Sequence, residues 1–181
     1  MPPMIGIDSN ALTYLATAMS GEYDPTGDPS NLRDERVGML RVFLYDEATM
    51  CVTPTVKGEC SRVPLCSLKS LHEAIGDVLL LDGPWNFDHS RLDSRATELA
   101  AYHTDRNDRR ILAEAEQAGF RALLTFDRDF VSRLGPRARD LELCTPSVYL
   151  ARLQIKAGAT PVRTPARGNP LESHRWWRIE E

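Results

Sequence analysis

Ile5-Gly6-Ile7 runs directly into Asp8, and Ser9-Asn10 then leads into a helical stretch, Ala11 to Met19. A short apolar strand that delivers an acid to its C-terminal tip and turns at once into a helix is the opening unit of an open α/β sheet. Ligands of such sheets bind at that edge. Ala122 to Phe126 repeats the pattern. It is a continuous apolar run, as a parallel strand covered on both faces requires, and it ends in Asp127-Arg128-Asp129. What else the chain brings to the same edge decides what it can do.

The segments between alternate in the same way. Ser9 or Asn10 can cap the first helix, with Leu12 and Leu15 inward. Gly21 to Asn31 holds Pro25, Gly27 and Pro29 and has loop chemistry. A helix is expected over about 32–48, a strand over 49–53, and a short helix opened by Thr53-Pro54 and stopped by Pro64. Residues 65–76 suggest a helix, 78–81 a strand and Gly83-Pro84 a turn. Helices follow over about 88–103 and from Asp108 to Gly119, then a strand at 141–144 and a helix at 146–157. Strands alternating with helices predict an α/β fold, a three-layer α/β/α sandwich with a mostly parallel central sheet. Residues 1–157 form one domain, with an inserted loop at about 21–36. Residues 158–181 form an extended tail, whose Trp176-Trp177 pair calls for burial on the body of the fold or on a neighbouring subunit.

The net charge of −4 argues against a globally basic nucleic-acid binder but leaves room for a local basic face. No apolar run is long enough for a membrane span, and Met1-Pro2-Pro3 lacks the pattern of a secretory signal. Cys51, Cys60, Cys66 and Cys144 show no paired metal-ligand spacing. They suit reduced, buried thiols in a cytoplasmic protein.

Four acids from distant segments converge on one edge in this scheme. Asp8 and Asp127 end strands. Glu59 lies on the packed side of its helix, three after Val56 and four before Val63, and Asp108 lies three before Ile111. Each has an ordinary alternative: strand-end cap for Asp8, partly exposed helix acid for Glu59, helix cap for Asp108, turn or cap for Asp127 and Asp129. Asp105 reads as a solvated loop acid. Joint placement, not any single residue, favours a shared site. Carboxylates crowded together do not all stay ionised unaided. Mg²⁺ or Mn²⁺, which prefer carboxylate oxygen and water, resolve the repulsion, and the chemistry this implies is metal-dependent phosphodiester hydrolysis.

Four motifs carry a resemblance to a known family: Ile-Gly-Ile-Asp-Ser-Asn at 5–10, Thr-Val-Lys-Gly-Glu at 55–59, Asn-Asp-Arg-Arg-Ile-Leu-Ala-Glu-Ala at 107–115 and Leu-Leu-Thr-Phe-Asp-Arg-Asp-Phe at 123–130. Over about residues 4–150 the chain resembles the PIN-domain family of metal-dependent ribonucleases, which includes the VapC-type toxins. The resemblance implies that Asp8, Glu59, Asp108 and Asp127 are the acidic quartet that holds one or two Mg²⁺ or Mn²⁺ ions. Asp129 matches an auxiliary acid, Ser9 and Asn10 match positions that support the first acid, and Thr125 matches a residue that orients the water or the last acid. It also implies a homodimer and, for a toxin, a small antitoxin protein whose peptide fills the acidic groove. The insertion, the long stretch from Pro84 to Asp105 and the Trp-bearing tail depart from the compact toxins.

Arg106, Arg109, Arg110, Arg128 and Arg133 surround the last acids in sequence. They are either solvated helix residues offsetting those acids or a phosphate-binding rim for single-stranded RNA. His103 reads as structural or solvated. Two other classes stand beside the nuclease. One is a non-catalytic PIN-like module that binds nucleic acid or protein. The other is a haloacid-dehalogenase-like phosphatase with Asp8 as phosphoryl acceptor, which wants a second acid where Asn10 stands.

Overall fold

Four parallel strands in the order β2-β1-β3-β4 form the centre of the protein in a computed structural model, which describes residues 2–21, 23–62, 86–165 and 167–180. The strands are β1 (Met4–Ile7), β2 (Thr49–Cys51), β3 (Ala122–Leu124) and β4 (Glu142–Cys144). The described helices are α1 (Ser9–Ser20), α2 (Ser30–Tyr45), α3 (Pro54–Cys60), α4 (His89–Leu99), α5 (Arg106–Gln117), α6 (Arg128–Leu134) and α7 (Pro146–Leu153). One set of helices packs as α1, α2 and α7, another as α3, α4 and α5. This is the expected α/β/α sandwich. The helix expected at 65–76, the strand at 78–81, the turn at Gly83-Pro84 and Cys66 lie outside the described residues. No helix among the described residues is long and apolar enough to cross a membrane.

The strands are short but wholly interior. Ile5, Ile7, Ala122, Leu123 and Leu124 are fully buried, and each large apolar side chain so placed contributes about 1.5–3 kcal/mol. Gly6 is required by packing: a Cβ there would stand 2.5 Å from the Phe120 ring. The register pairs Gly6 with Cys51 and Leu123, and Leu124 with Cys144. Continued past the strand ends, it sets Thr53, Asp8, Thr125 and Thr145 side by side. All four are buried. The chain leaves β1 toward β2 on one side and returns to β3 on the other, so Asp8 and Thr125 flank the topological switch point of the sheet.

Two helices are finished from far away in sequence. Both α3 and α7 open with Thr-Pro, which leaves the next N–H in need of a partner. Buried Glu114 on α5 accepts from the Thr55 N–H at 3.1 Å and its hydroxyl at 2.8 Å. Buried Glu35 on α2 does the same for Ser147, at 2.9 and 2.8 Å. Gly38 lets α2 approach that close, since a Cβ would meet the Ser147 backbone at 3.1 Å.

Several boundaries differ from the sequence expectation. Residues 30–36 belong to α2 rather than to an inserted loop, because the Pro29 carbonyl already accepts from the Leu32 and Arg33 N–H groups. The last helix stops at Leu153, where Gln154 adopts a left-handed conformation at φ 49°. The first helix is capped by Asp8 itself, not by Ser9 or Asn10.

The tail is docked rather than extended in solvent. Arg163 closes the C-terminus of α2, donating to the Phe43, Asp46 and Ala48 carbonyls. Arg41 in return donates to the Trp176, Trp177 and Arg178 carbonyls. Leu171 and Trp177 are buried in the core, so this chain's own body takes up the Trp pair. An aromatic ladder links tail and sheet edge. Trp176 meets Tyr23 edge-on at 5.4 Å, Arg36 lies over Tyr23 and Tyr14, and Tyr14 packs on Phe126 at 4.6 Å.

Candidate functional site

Asp8 sits at the switch point with both carboxylate oxygens engaged. Oδ1 accepts from the Ala11 N–H at 2.7 Å, and Oδ2 accepts from the Thr125 hydroxyl at 2.5 Å. The Thr125 oxygen in turn accepts the Asp127 N–H at 2.9 Å. Burial pushes the Asp8 carboxyl up to about 6. The two hydrogen bonds oppose that rise, and the negative charges of Asp108 and Glu59 add to it. Ser9 is half-buried and Asn10 exposed, and among the described residues neither bonds to the Asp8 carboxylate. The supporting role falls to Thr125.

Asp108 lies in the first turn of α5, not at its start. The helix begins at Arg106 and is capped by Asp105, which accepts from the Asn107 and Asp108 N–H groups at 2.7 and 3.1 Å. Asp105 is exposed, as expected, and also serves as the helix cap. Burial raises the Asp108 carboxyl above its ordinary value, the His103 hydrogen bond lowers it, and the Asp105 and Asp127 charges raise it. Glu59 is half-buried on α3, and its Oε1 accepts from Asn107 at 2.7 Å. Asp127 caps α6 through Oδ1, at 2.8 and 3.0 Å from the Asp129 and Phe130 N–H groups. Asp129 is exposed and paired with Arg133 at 2.7 Å.

The four acids are thus electrostatically joined: Asp8 to Asp108 and Glu59, and Asp108 to Asp127. Among the described residues, no three His, Cys, Asp or Glu side chains form a ready-made cation cage. The fit to Mg²⁺ or Mn²⁺ rests on donor chemistry. All four are hard carboxylate donors, and Asp8 and Asp108, raised first by burial and then by neighbouring acids, are carboxyls whose ionised form a divalent cation would favour.

The arginines divide. Arg106 and Arg109 line a cleft of about 830 Å³ between α3, α4 and α5, together with Arg62, Glu59 and Asn107. Among the described residues Arg109 donates to the backbone carbonyls of Asp105 and Ala96 alone. Arg62 and Arg106 are exposed and have no ion pair among the described residues. Arg110 lines the cleft too, but it is already paired with Asp93 and Glu114, so its charge is spent within the protein. Arg128 is exposed on α6, outside the cleft lining.

Two residues, Asn107 and Arg62, escaped the sequence argument, and His103 takes the structural of the two places it was given. His103 is buried, with Nε2 2.6 Å from Asp108 Oδ2. Its signal was the five-residue separation from Asp108 within one charged segment. Asn107, which holds Glu59, carried none, because the two lie 48 positions apart. Arg62 lies before Pro64 at the end of a short helix, far from the other arginines in sequence. Comparisons with protein-family models, with curated proteins and with solved structures found no match to this chain.

Proposed function

We propose that this protein is a PIN-type nuclease that uses Mg²⁺ or Mn²⁺ to hydrolyse phosphodiester bonds of single-stranded RNA. What supports the reading is a set of links between distant segments: Thr125 bonds both the Asp8 carboxylate and the Asp127 N–H, and Asn107, next to Asp108 on α5, bonds Glu59 on α3. A bound divalent cation supplies an activated water and offsets charge on the phosphoryl group. The chain's own residues do the rest. Thr125 and the Ala11 N–H stabilise the ionised form of Asp8 against its burial. Asn107 fixes Glu59 across the α3–α5 junction. Arg62, Arg106 and Arg109 offer guanidinium groups to a backbone passing through the adjoining cleft.

The test is cleavage of RNA and DNA panels with added Mn²⁺, with the product ends mapped. Asp8→Ala and Asp108→Asn are expected to abolish cleavage while keeping a cooperative thermal transition. Full activity in either, with contaminating nuclease excluded, refutes the reading. The family resemblance adds to this reading a cytoplasmic location and a second copy of the chain, and a small antitoxin protein only in the case of a toxin.

One observation favours a second reading, a non-catalytic module that binds nucleic acid or protein. Each of the four acids already carries an internal hydrogen bond. Calorimetry without Mn²⁺ binding, together with retained RNA or protein binding, would select it.

A further inference from the structure

We propose that His103 is a positioning residue for the acid edge, holding Asp108 in the orientation that receives the cation. The inference rests on the metal-dependent reading above and assigns a role to a residue outside the acidic quartet. The His103 ring is 6% exposed and packs nearly parallel to Phe130, with ring centroids 6.0 Å apart and 14° between planes. That packing fixes the direction of both nitrogens. Nε2 stands 2.6 Å from Asp108 Oδ2, a donor against an acceptor-only carboxylate. Nδ1 is buried with no hydrogen-bond partner among the described residues and lies 3.7 Å from Asp129 Oδ2.

The result is division of labour within one carboxylate. Oδ2 of Asp108 is committed to the imidazole, while among the described residues Oδ1 accepts no hydrogen bond from the protein. An acid held by a single oxygen presents the other without losing rotamer freedom on binding, which is how outer partners of a ligand raise metal affinity. His103 also stands between Asp108 on α5 and Asp129 on α6, so it sets the spacing of two segments that share no sequence proximity.

The experiment is Mn²⁺ calorimetry on the full chain stripped of metal, with thermal melting of every variant. His103→Leu keeps an apolar side chain on Phe130 but has no donor. It is expected to weaken Mn²⁺ binding about 10–100-fold, the usual cost of losing such a partner. His103→Gln, which can place an N–H near the Nε2 position, is expected to stay within about threefold of wild type, whereas His103→Asn, reaching only the Nδ1 position, behaves like His103→Leu. In an Asp108→Asn background, His103→Leu is expected to add no further loss, because the coupling runs through that one carboxylate. Wild-type affinity in His103→Leu, or equal affinities in the Gln and Asn variants, would overturn the positioning role and leave the nuclease reading standing. Should the wild-type chain bind no Mn²⁺, the nuclease reading itself falls, and this role falls with it.

Discussion

The Thr125 hydroxyl donates to Asp8 Oδ2 at 2.5 Å across two neighbouring parallel strands, and the same oxygen receives the Asp127 N–H. One side chain therefore connects the first and last acids of the candidate site. The strand register alone puts it there, since Leu124 is paired with Ile7 and each is followed by the residue in question.

Thr125→Val removes one of the two hydrogen bonds that favour ionised Asp8. The Asp8 carboxyl, already raised to about 6, is expected to rise further. Carbon-13 NMR titration of the carboxyl checks this, and Mn²⁺ binding should need a higher pH than in wild type. Losing the bond to the Asp127 N–H adds about 0.5–1.5 kcal/mol of destabilisation, measurable by denaturant titration.

Asp8→Asn separates function from stability. Because folding raises the carboxyl from 3.8 to about 6, the fold favours the protonated acid. That contribution is complete below the unfolded value and lost as pH climbs through the folded one. In chelator, the Asn variant is expected to exceed wild type by up to about 3 kcal/mol near pH 8 and to match it near pH 4. Urea denaturation at both pH values decides it. A wild-type advantage at the higher pH would mean that the protein compensates the Asp8 charge by other means.

The arginines offer an internal control. Arg106→Ala or Arg62→Ala is expected to weaken RNA binding and to flatten its salt dependence, by about 0.7 in the log–log slope for each phosphate of a single strand that the variant no longer neutralises. Arg110→Ala is expected to leave that slope unchanged and to lower stability instead, since it strips Glu114 and Asp93 of their partner. Binding isotherms across a salt series, paired with melting curves, distinguish the two outcomes.

Trp177→Ala tests the tail. The side chain is 3% exposed, and its indole N–H donates to the Leu171 carbonyl at 2.9 Å. Truncation should cost about 3–5 kcal/mol. A loss under about 1 kcal/mol in chemical denaturation would show that residues 158–180 contribute little to the fold.

The parallel sheet was legible because its strands are apolar without alternation, and Asp8 and Asp127 were legible because each ends such a run. Periodicity also placed Leu12, Leu15, Ile111 and Leu112 correctly in the core. What sequence could not reveal were interactions between residues far apart along the chain. Arg41 and Arg163 bind backbone carbonyls more than a hundred positions away, so a segment without periodicity still docks firmly. Asp105 is exposed as expected, but its cap role is recognised only once the first helical residue is known, and the helix starts two residues before Asp108. His103 was read as structural or solvated, and its burial selects the first; only its five-residue distance from Asp108 hinted at the pairing. Arg110 looked available because its partner Asp93 belongs to another helix.

Glu114 closes the first turn of α3 from a position 59 residues downstream of Thr55. Glu59 stands on that same seven-residue helix, too short to persist alone in water. A growing or prematurely ended chain that lacks α5 consequently has neither a finished α3 nor a seated Glu59. The acid edge is therefore assembled only late along the chain, since Asp108 and Asp127 lie in or beyond the same downstream half that seats Glu59.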